Sequence, residues 1–199
     1  MRGIFAFLAV LAALGGCATA PQVESKRINT AMAEGGGAAQ NCVTRMHESD
    51  PYQRLKPKLS RTIDAKANTA KATPEEVEDL KAVQEYVTQC RWLILDMAGQ
   101  VSATYAAIYT GSFSRLDAIT ARLISQQTTW GEYNIEYDAA LADRRIQLTA
   151  ELANIQRGLS SAHAAELRRR QAAIDAAASS RPIQTNCTSF GGYINCTSY

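Results

Sequence analysis

A mainly α-helical fold is predicted for this chain: long antiparallel amphipathic helices packed as a coiled-coil-like bundle, with a disulfide-stapled β-hairpin at the C-terminus. Three observations predict it. Thr73-Pro74-Glu75-Glu76 is a helix-start signal, and apolar residues recur behind it at seven-residue spacing. Thr129 and Glu132 repeat the capping spacing ahead of a second long amphipathic stretch. The chain closes on NCTSFGGYINCTSY, in which one five-residue phrase occurs twice across a Gly-Gly pair.

The first residues, MRGIFAFLAVLAALGGCATA, carry one positive charge at Arg2, an apolar run from Ile4 to Leu14, and then small residues. This is the layout of a secretory leader; a membrane-spanning helix needs about 20 apolar residues. Leu14-Gly15-Gly16-Cys17 resembles the lipobox of bacterial lipoproteins: an apolar residue, two small ones, then cysteine. The resemblance implies removal of residues 1–16 as a signal peptide and attachment of fatty acyl chains, palmitate among them, to Cys17. Several chains on one residue anchor far more firmly than a single acyl group. Position 18 is Ala rather than the Asp that marks inner-membrane retention in that class, so the resemblance implies an outer-membrane anchor.

Residues 17–38 read as a lipidated flexible tether, because Gly35-Gly36-Gly37 is expected to break any helix there. A helical domain is expected over 39–180. It opens with a short helix from Ala39 to Glu48 that carries Cys42. Asp50-Pro51 then reads as N-cap and first helical residue of a second helix, broken early by Pro57. The third helix starts at the Thr73 capping box. Leu80, Val87, Ile94, Val101 and Ile108 form one row, and Val83, Cys90, Met97 and Thr104 its companion. Glu75, Glu76, Glu78 and Asp79 crowd its first turns, where the helix dipole favours negative charge. With Gly111 as its end, this helix spans about 37 residues, roughly 55 Å. Ser112 or Ser114 is expected to start a shorter helix through Leu116, Ile119 and Leu123. A last helix runs from Trp130 to about Ala178, with Leu141, Leu148, Leu152, Ile155, Leu159, Ala162, Leu167 and Ile174 as its stripe. The two long helices are expected to pack antiparallel.

With Cys17 assigned to lipid by the lipobox resemblance, Cys42, Cys90, Cys187 and Cys196 remain, and four cysteines allow three pairings. The hairpin at 181–199 decides among them. Gly191-Gly192 is a favoured two-residue turn, because glycine accepts the positive φ that such turns require. Counting outward from it pairs Phe190 with Tyr193, Ser189 with Ile194, Thr188 with Asn195 and Cys187 with Cys196. The cysteines fall on a non-hydrogen-bonded site, where Cα atoms approach to about 4.5 Å, so a cross-strand bridge fits. Cys42 then pairs with Cys90 by elimination. A zinc site is disfavoured by the absence of Cys-x-x-Cys spacing and by the oxidising compartment.

Composition excludes few classes. The chain has 21 Lys+Arg against 19 Asp+Glu, and the leader removes only Arg2 from that count. A near-neutral balance makes no case for nucleic acid. His163-Ala-Ala-Glu166 sets an imidazole and a carboxylate on one helical face, but it reverses the Glu-x-x-His order of bundle metal sites and has no second copy. No nucleophile elbow or phosphate loop is present, and no cofactor, metal or catalytic residue is expected. Arg168-Arg169-Arg170 reads as a solvated face diluted by Glu166 and Asp175. Asn186-Cys187-Thr188 and Asn195-Cys196-Thr197 match the N-glycosylation pattern, which has no bearing in a bacterial lipoprotein.

One face of the hairpin collects Asn186, Thr188, Phe190, Tyr193, Asn195 and Thr197, an aromatic, amide and hydroxyl composition common in binding surfaces. The bland alternative is a hairpin docked onto the helices with Phe190 and Tyr193 partly buried, expected because an isolated hairpin is marginal in water. Beyond its leader the chain resembles small helical envelope lipoproteins that end in a cysteine-bearing hairpin. The sequence leads to a non-enzymatic outer-membrane lipoprotein, a helical scaffold or adaptor facing the periplasm. It would contact the membrane through its anchor, and an envelope protein or the cell wall through its body. The second reading is an accessory lipoprotein that binds a small ligand, glycan or peptidoglycan through the hairpin face.

Overall fold

The structure, a computed structural model, describes residues 19–179 and 185–198. The lipobox and Cys17 lie outside the described residues. The chain forms two compact units, residues 22–159 and a second of residues 160–199 with the first 21. Six helices and one hairpin are described: α1 (Ala20–Glu48), α2 (Asp50–Leu55), α3 (Ile63–Lys66), α4 (Pro74–Val101), α5 (Ala103–Ile124), α6 (Trp130–Ser179), β1 (Thr185–Phe190) and β2 (Tyr193–Ser198). No described helix is long and apolar enough to cross a membrane.

The residue 17–38 tether is corrected from Ala20 onward: α1 is one helix straight through the three glycines. Each glycine costs about 1 kcal/mol against alanine in a helix interior, and tertiary contact offsets that. A Cβ on Gly35 would sit 2.5 Å from Met97 Cβ, so glycine there admits α4 to close range. Ile28, Ala31, Ala39, Cys42 and Met46 are buried along the same face.

The expected 37-residue helix is also corrected. It breaks at Ser102, whose backbone is extended and whose hydroxyl accepts from Tyr105 N at 2.9 Å as the N-cap of α5. Serine competes for backbone hydrogen bonds in this way, which is why it favours caps over helix interiors. Gly111 and the serines after it lie inside α5, which buries Leu116, Ile119 and Leu123 as expected. Asp50 is the first residue of α2 rather than its cap, which is Ser49, and the helix stops before Pro57.

The pairings give the direction of each leg in residues 22–159. Cys42 bonds Cys90, Gly35 meets Met97, and Arg27 donates to the Gln100 carbonyl, so α1 and α4 are antiparallel. Leu80 shares a core with Leu123 while Arg91 bonds Asp117, so α5 returns along α4. Arg122–Glu136, Arg115–Asp143 and Ser102–Glu151 set α6 antiparallel to α5. Neighbouring legs thus alternate in direction, as a bundle with short connections requires. The two stripe-bearing helices, α4 and α6, run in the same direction because the break at Ser102 inserts α5 between them.

Two cores form. Leu55, Ala72, Leu80, Leu116, Ile119, Leu123, Trp130, Tyr133 and Ala140 build one. Ile28, Met97, Ala98, Val101 and Tyr105 build the other, with Leu148, Leu152, Ile155 and Leu159 packed against it. Leu167 and Ile174, further along the predicted stripe, are exposed.

Both predicted capping boxes form. Thr73 and Glu76 exchange hydrogen bonds of 2.9 and 3.2 Å, and Thr129 and Glu132 exchange bonds of 2.8 and 3.3 Å. Glu76 also accepts from Trp130 Nε1 at 3.0 Å. Burial works against its charge, but the Thr73 and Trp130 hydrogen bonds and nearby Lys58 hold its carboxyl below the usual range. The Arg91 guanidinium holds Asp117 low, against burial. Such groups contribute stability above their unfolded pKa and lose it as pH falls through the folded value. The ordinary values are 4.5 for Glu76 and 3.8 for Asp117. Urea midpoints are therefore expected to hold from pH 7 to about pH 5 and to fall below about pH 4.5. Glu76→Gln should make that fall shallower; an unchanged acid limb would show that Glu76 does not drive it.

Candidate functional site

The hairpin forms in the predicted register, from Thr185↔Ser198 to Phe190↔Tyr193, with Cys187 opposite Cys196. The turn glycines have φ of 60° and 83°, values that a side chain would strain. The bridge joins Cα atoms 4.0 Å apart, close to the non-hydrogen-bonded spacing. Its loop closure contributes roughly 2–3 kcal/mol toward holding the hairpin.

Of the six residues assigned to a binding face, Asn186, Thr188 and Tyr193 are exposed. The side chains of Phe190, Asn195 and Thr197 lie outside what is described. Tyr193 is 83% exposed and Ile194, on the opposite face, is 75% exposed. The expected partial burial of Tyr193 is therefore corrected: strand alternation sends the two side chains to opposite faces, and each stands in the open. Residues 185–198 carry no charged side chain. Thr185 and Asn186 take part in interactions of their own.

The His163-Ala-Ala-Glu166 pair does not act as one unit: His163 Nδ1 is buried with no hydrogen-bond partner among the described residues. Glu166 accepts from Arg170 Nε at 2.9 Å. Arg168 and Arg169 are exposed. The described residues contain no group of three or more His, Cys, Asp or Glu arranged to hold a metal ion.

Sequence reasoning missed a second feature, a cleft of about 390 Å³ inside the 22–159 unit. Val43, Met46 and His47 of α1, Tyr52 of α2, and Leu59 and Arg61 of the connection after it line the cleft together with residues of α4, α5 and α6. Cys90 lies in the lining, so the Cys42–Cys90 bridge (Cα atoms 5.5 Å apart) clips the α1 wall to α4. Tyr133 and Tyr137 face it from the first turns of α6, and burial raises the pKa of both phenols. Both stay protonated, and the Tyr133 hydroxyl is already hydrogen-bonded with Thr120.

The start of α6 is placed by backbone. Trp130 N donates to Ala70 O at 2.9 Å and Gly131 N to Asn68 O at 2.8 Å. A Cβ on Gly131 would lie 2.7 Å from Asn68 O, so this turn accepts only glycine without movement. Asn134 completes the anchor, donating from Nδ2 to Lys58 O at 2.7 Å and Ala65 O at 3.2 Å.

The cations of the cleft wall have carboxylate partners except Arg144. Arg91 holds Asp117 with two bonds of 2.6 and 2.7 Å, and Gln84 donates to the same carboxylate at 2.6 Å. Asp138 is shared by Lys66 at 2.7 Å and Arg61 at 3.2 Å. Arg144 lies over the rings of Tyr109 and Phe113, at 5.5 and 6.0 Å from their centroids, and has no carboxylate partner among the described residues.

Comparison with known protein families, with curated proteins and with solved structures finds no match to this chain.

Proposed function

We propose that the protein is a non-enzymatic lipoprotein of the bacterial outer membrane, anchored through acylated Cys17. Its helical body serves as a periplasm-facing scaffold, and its C-terminal hairpin makes the adaptor contact with another envelope component. The observation that carries this reading is the stapled hairpin with Tyr193 and Ile194 standing open on opposite faces. Large apolar side chains on a covalently pinned element lose little conformational freedom when covered, so such a platform is pre-organised for a partner. The lack of charge along residues 185–198 suits an uncharged polar surface or a peptide backbone better than an ionic one. The sheet has two strands among the described residues, and strand addition is one mode by which such an element meets a partner.

The second reading, a glycan or peptidoglycan ligand on the same face, draws on Tyr193 with Thr188 diagonally across the strands and Asn186 further along the same strand face. One experiment separates the two. A photoreactive residue replaces Tyr193 in the living envelope, and adducts are identified by mass spectrometry. A discrete protein adduct supports the adaptor, and a peptidoglycan adduct promotes the second reading. Irradiation that yields neither contradicts both.

A further inference from the structure

We propose that the cleft in the 22–159 unit binds a small organic carboxylate with an aromatic body, with Arg144 as the group that receives the carboxylate. This site is independent of the hairpin and of the adaptor role.

Size and lining come first. A volume of about 390 Å³ falls within the range of small-molecule sites, roughly 300–1,000 Å³. The wall joins aliphatic residues such as Leu80, Val83 and Leu141 to the aromatic rings of Tyr52, Phe113 and Tyr137. Rings of that number favour a flat body that stacks or meets them edge to face.

Charge then selects the head group. Arg91 and Arg144 lie on one aromatic ring, 4.8 and 6.0 Å from the Phe113 centroid. Two guanidiniums around one ring repel each other, and a single carboxylate, Asp117, answers Arg91 alone. The acid next to Arg144 in the chain, Asp143, is engaged by Arg115. The remaining carboxylate of the wall, Asp138, is already shared between Lys66 and Arg61. Lys66 and Arg61 still have one carboxylate between them, and Arg144 has none among the described residues. The rings beneath it orient the guanidinium, whose planar fork matches a carboxylate. The phenol of Tyr137, kept protonated by burial, lines the same cleft as a further donor.

The test pairs two probes of the same shape, 2-naphthylacetate and its uncharged amide, 2-naphthylacetamide. Both are titrated calorimetrically into the full lipidated chain and into its Arg144→Gln variant. The native chain is expected to bind one equivalent of the carboxylate at least about tenfold more tightly than the amide, the scale of one charge-assisted hydrogen bond. Arg144→Gln should bring the two affinities within about twofold by weakening only the carboxylate. Equal affinities in the native chain, no binding of either probe, or a carboxylate preference that survives the substitution would each overturn the proposal. Circular dichroism checks that the variant is folded. Should it unfold, Arg144→Lys replaces it: charge is kept but the fork is lost, so the carboxylate should weaken several-fold with the amide unchanged. Equal weakening of both probes in that variant overturns the assignment to Arg144.

Discussion

Trp130→Ala is expected to destabilise the helical body by about 3–5 kcal/mol, the range for deleting a fully buried large aromatic. Trp130 is 0% exposed and is the first residue of α6. Its ring meets Tyr133 edge to face, with centroids 5.8 Å apart. It shares a core with Leu55 of α2, Leu80 of α4 and Leu123 of α5. Its indole N–H bonds Glu76, the third residue of α4 and partner of Thr73 in its capping box, so one side chain joins the starts of α4 and α6. Removing it opens a cavity and takes a donor from a partly buried carboxylate. Trp130→Phe separates these terms: most of the packing stays while the hydrogen bond goes, for a loss of about 1–3 kcal/mol. Guanidinium unfolding followed by circular dichroism measures both. A loss under about 1 kcal/mol for the alanine variant would mean that this core collapses without cost, and the keystone role would be wrong.

The second large effect belongs to the Cys42–Cys90 bridge. It closes a sequence separation of 48 residues. In the chain-entropy model, removing such a cross-link costs about 4 kcal/mol. The double Cys42→Ser, Cys90→Ser change should produce a loss of that order, because both positions are buried and α1 carries three glycines that weaken it as an isolated helix. The double Cys187→Ser, Cys196→Ser change should leave the unfolding midpoint of the 22–159 body within about 0.5 kcal/mol, since its loop spans only nine residues of another unit. The contrast between the two pairs is the test. Equal losses, or a larger loss for the hairpin pair, would contradict the division into a stapled body and a separately stapled tip.

The hairpin is legible in the sequence to the residue, because register comes from counting outward from a two-glycine turn, a local rule that tertiary structure does not disturb. The capping boxes are local for the same reason. The path of α1 is hidden because its buried face is made largely of small residues. Ile28, Ala31, Gly35, Ala39, Cys42 and Met46 keep helical spacing, but alanine and glycine carry little hydrophobic signal. The break at Ser102 is hidden because the apolar rows persist on both sides, with Val101 and Tyr105 buried in one core. A serine N-cap reverses the chain without interrupting such a pattern. The cleft is least legible: Tyr52, Arg91, Phe113 and Arg144 come from four helices, and only the folded legs bring them together. The exposure of Tyr193 runs against the marginal stability of free hairpins, which argues for docking; covalent closure weakens that argument.

An acylated Cys17 would set both the compartment and the range of partners. It would place the chain in an oxidising envelope, leave four cysteines for two bridges, and limit partners to envelope components. The most direct test is metabolic labelling with a palmitate analogue, comparing the native chain with Cys17→Ser in fractionated cells. Label is expected on the native protein in the outer-membrane fraction, with loss of both label and membrane retention in the variant. A native protein that takes up no label, or a Cys17→Ser variant that keeps it, would contradict the lipid anchor and the adaptor function built on it.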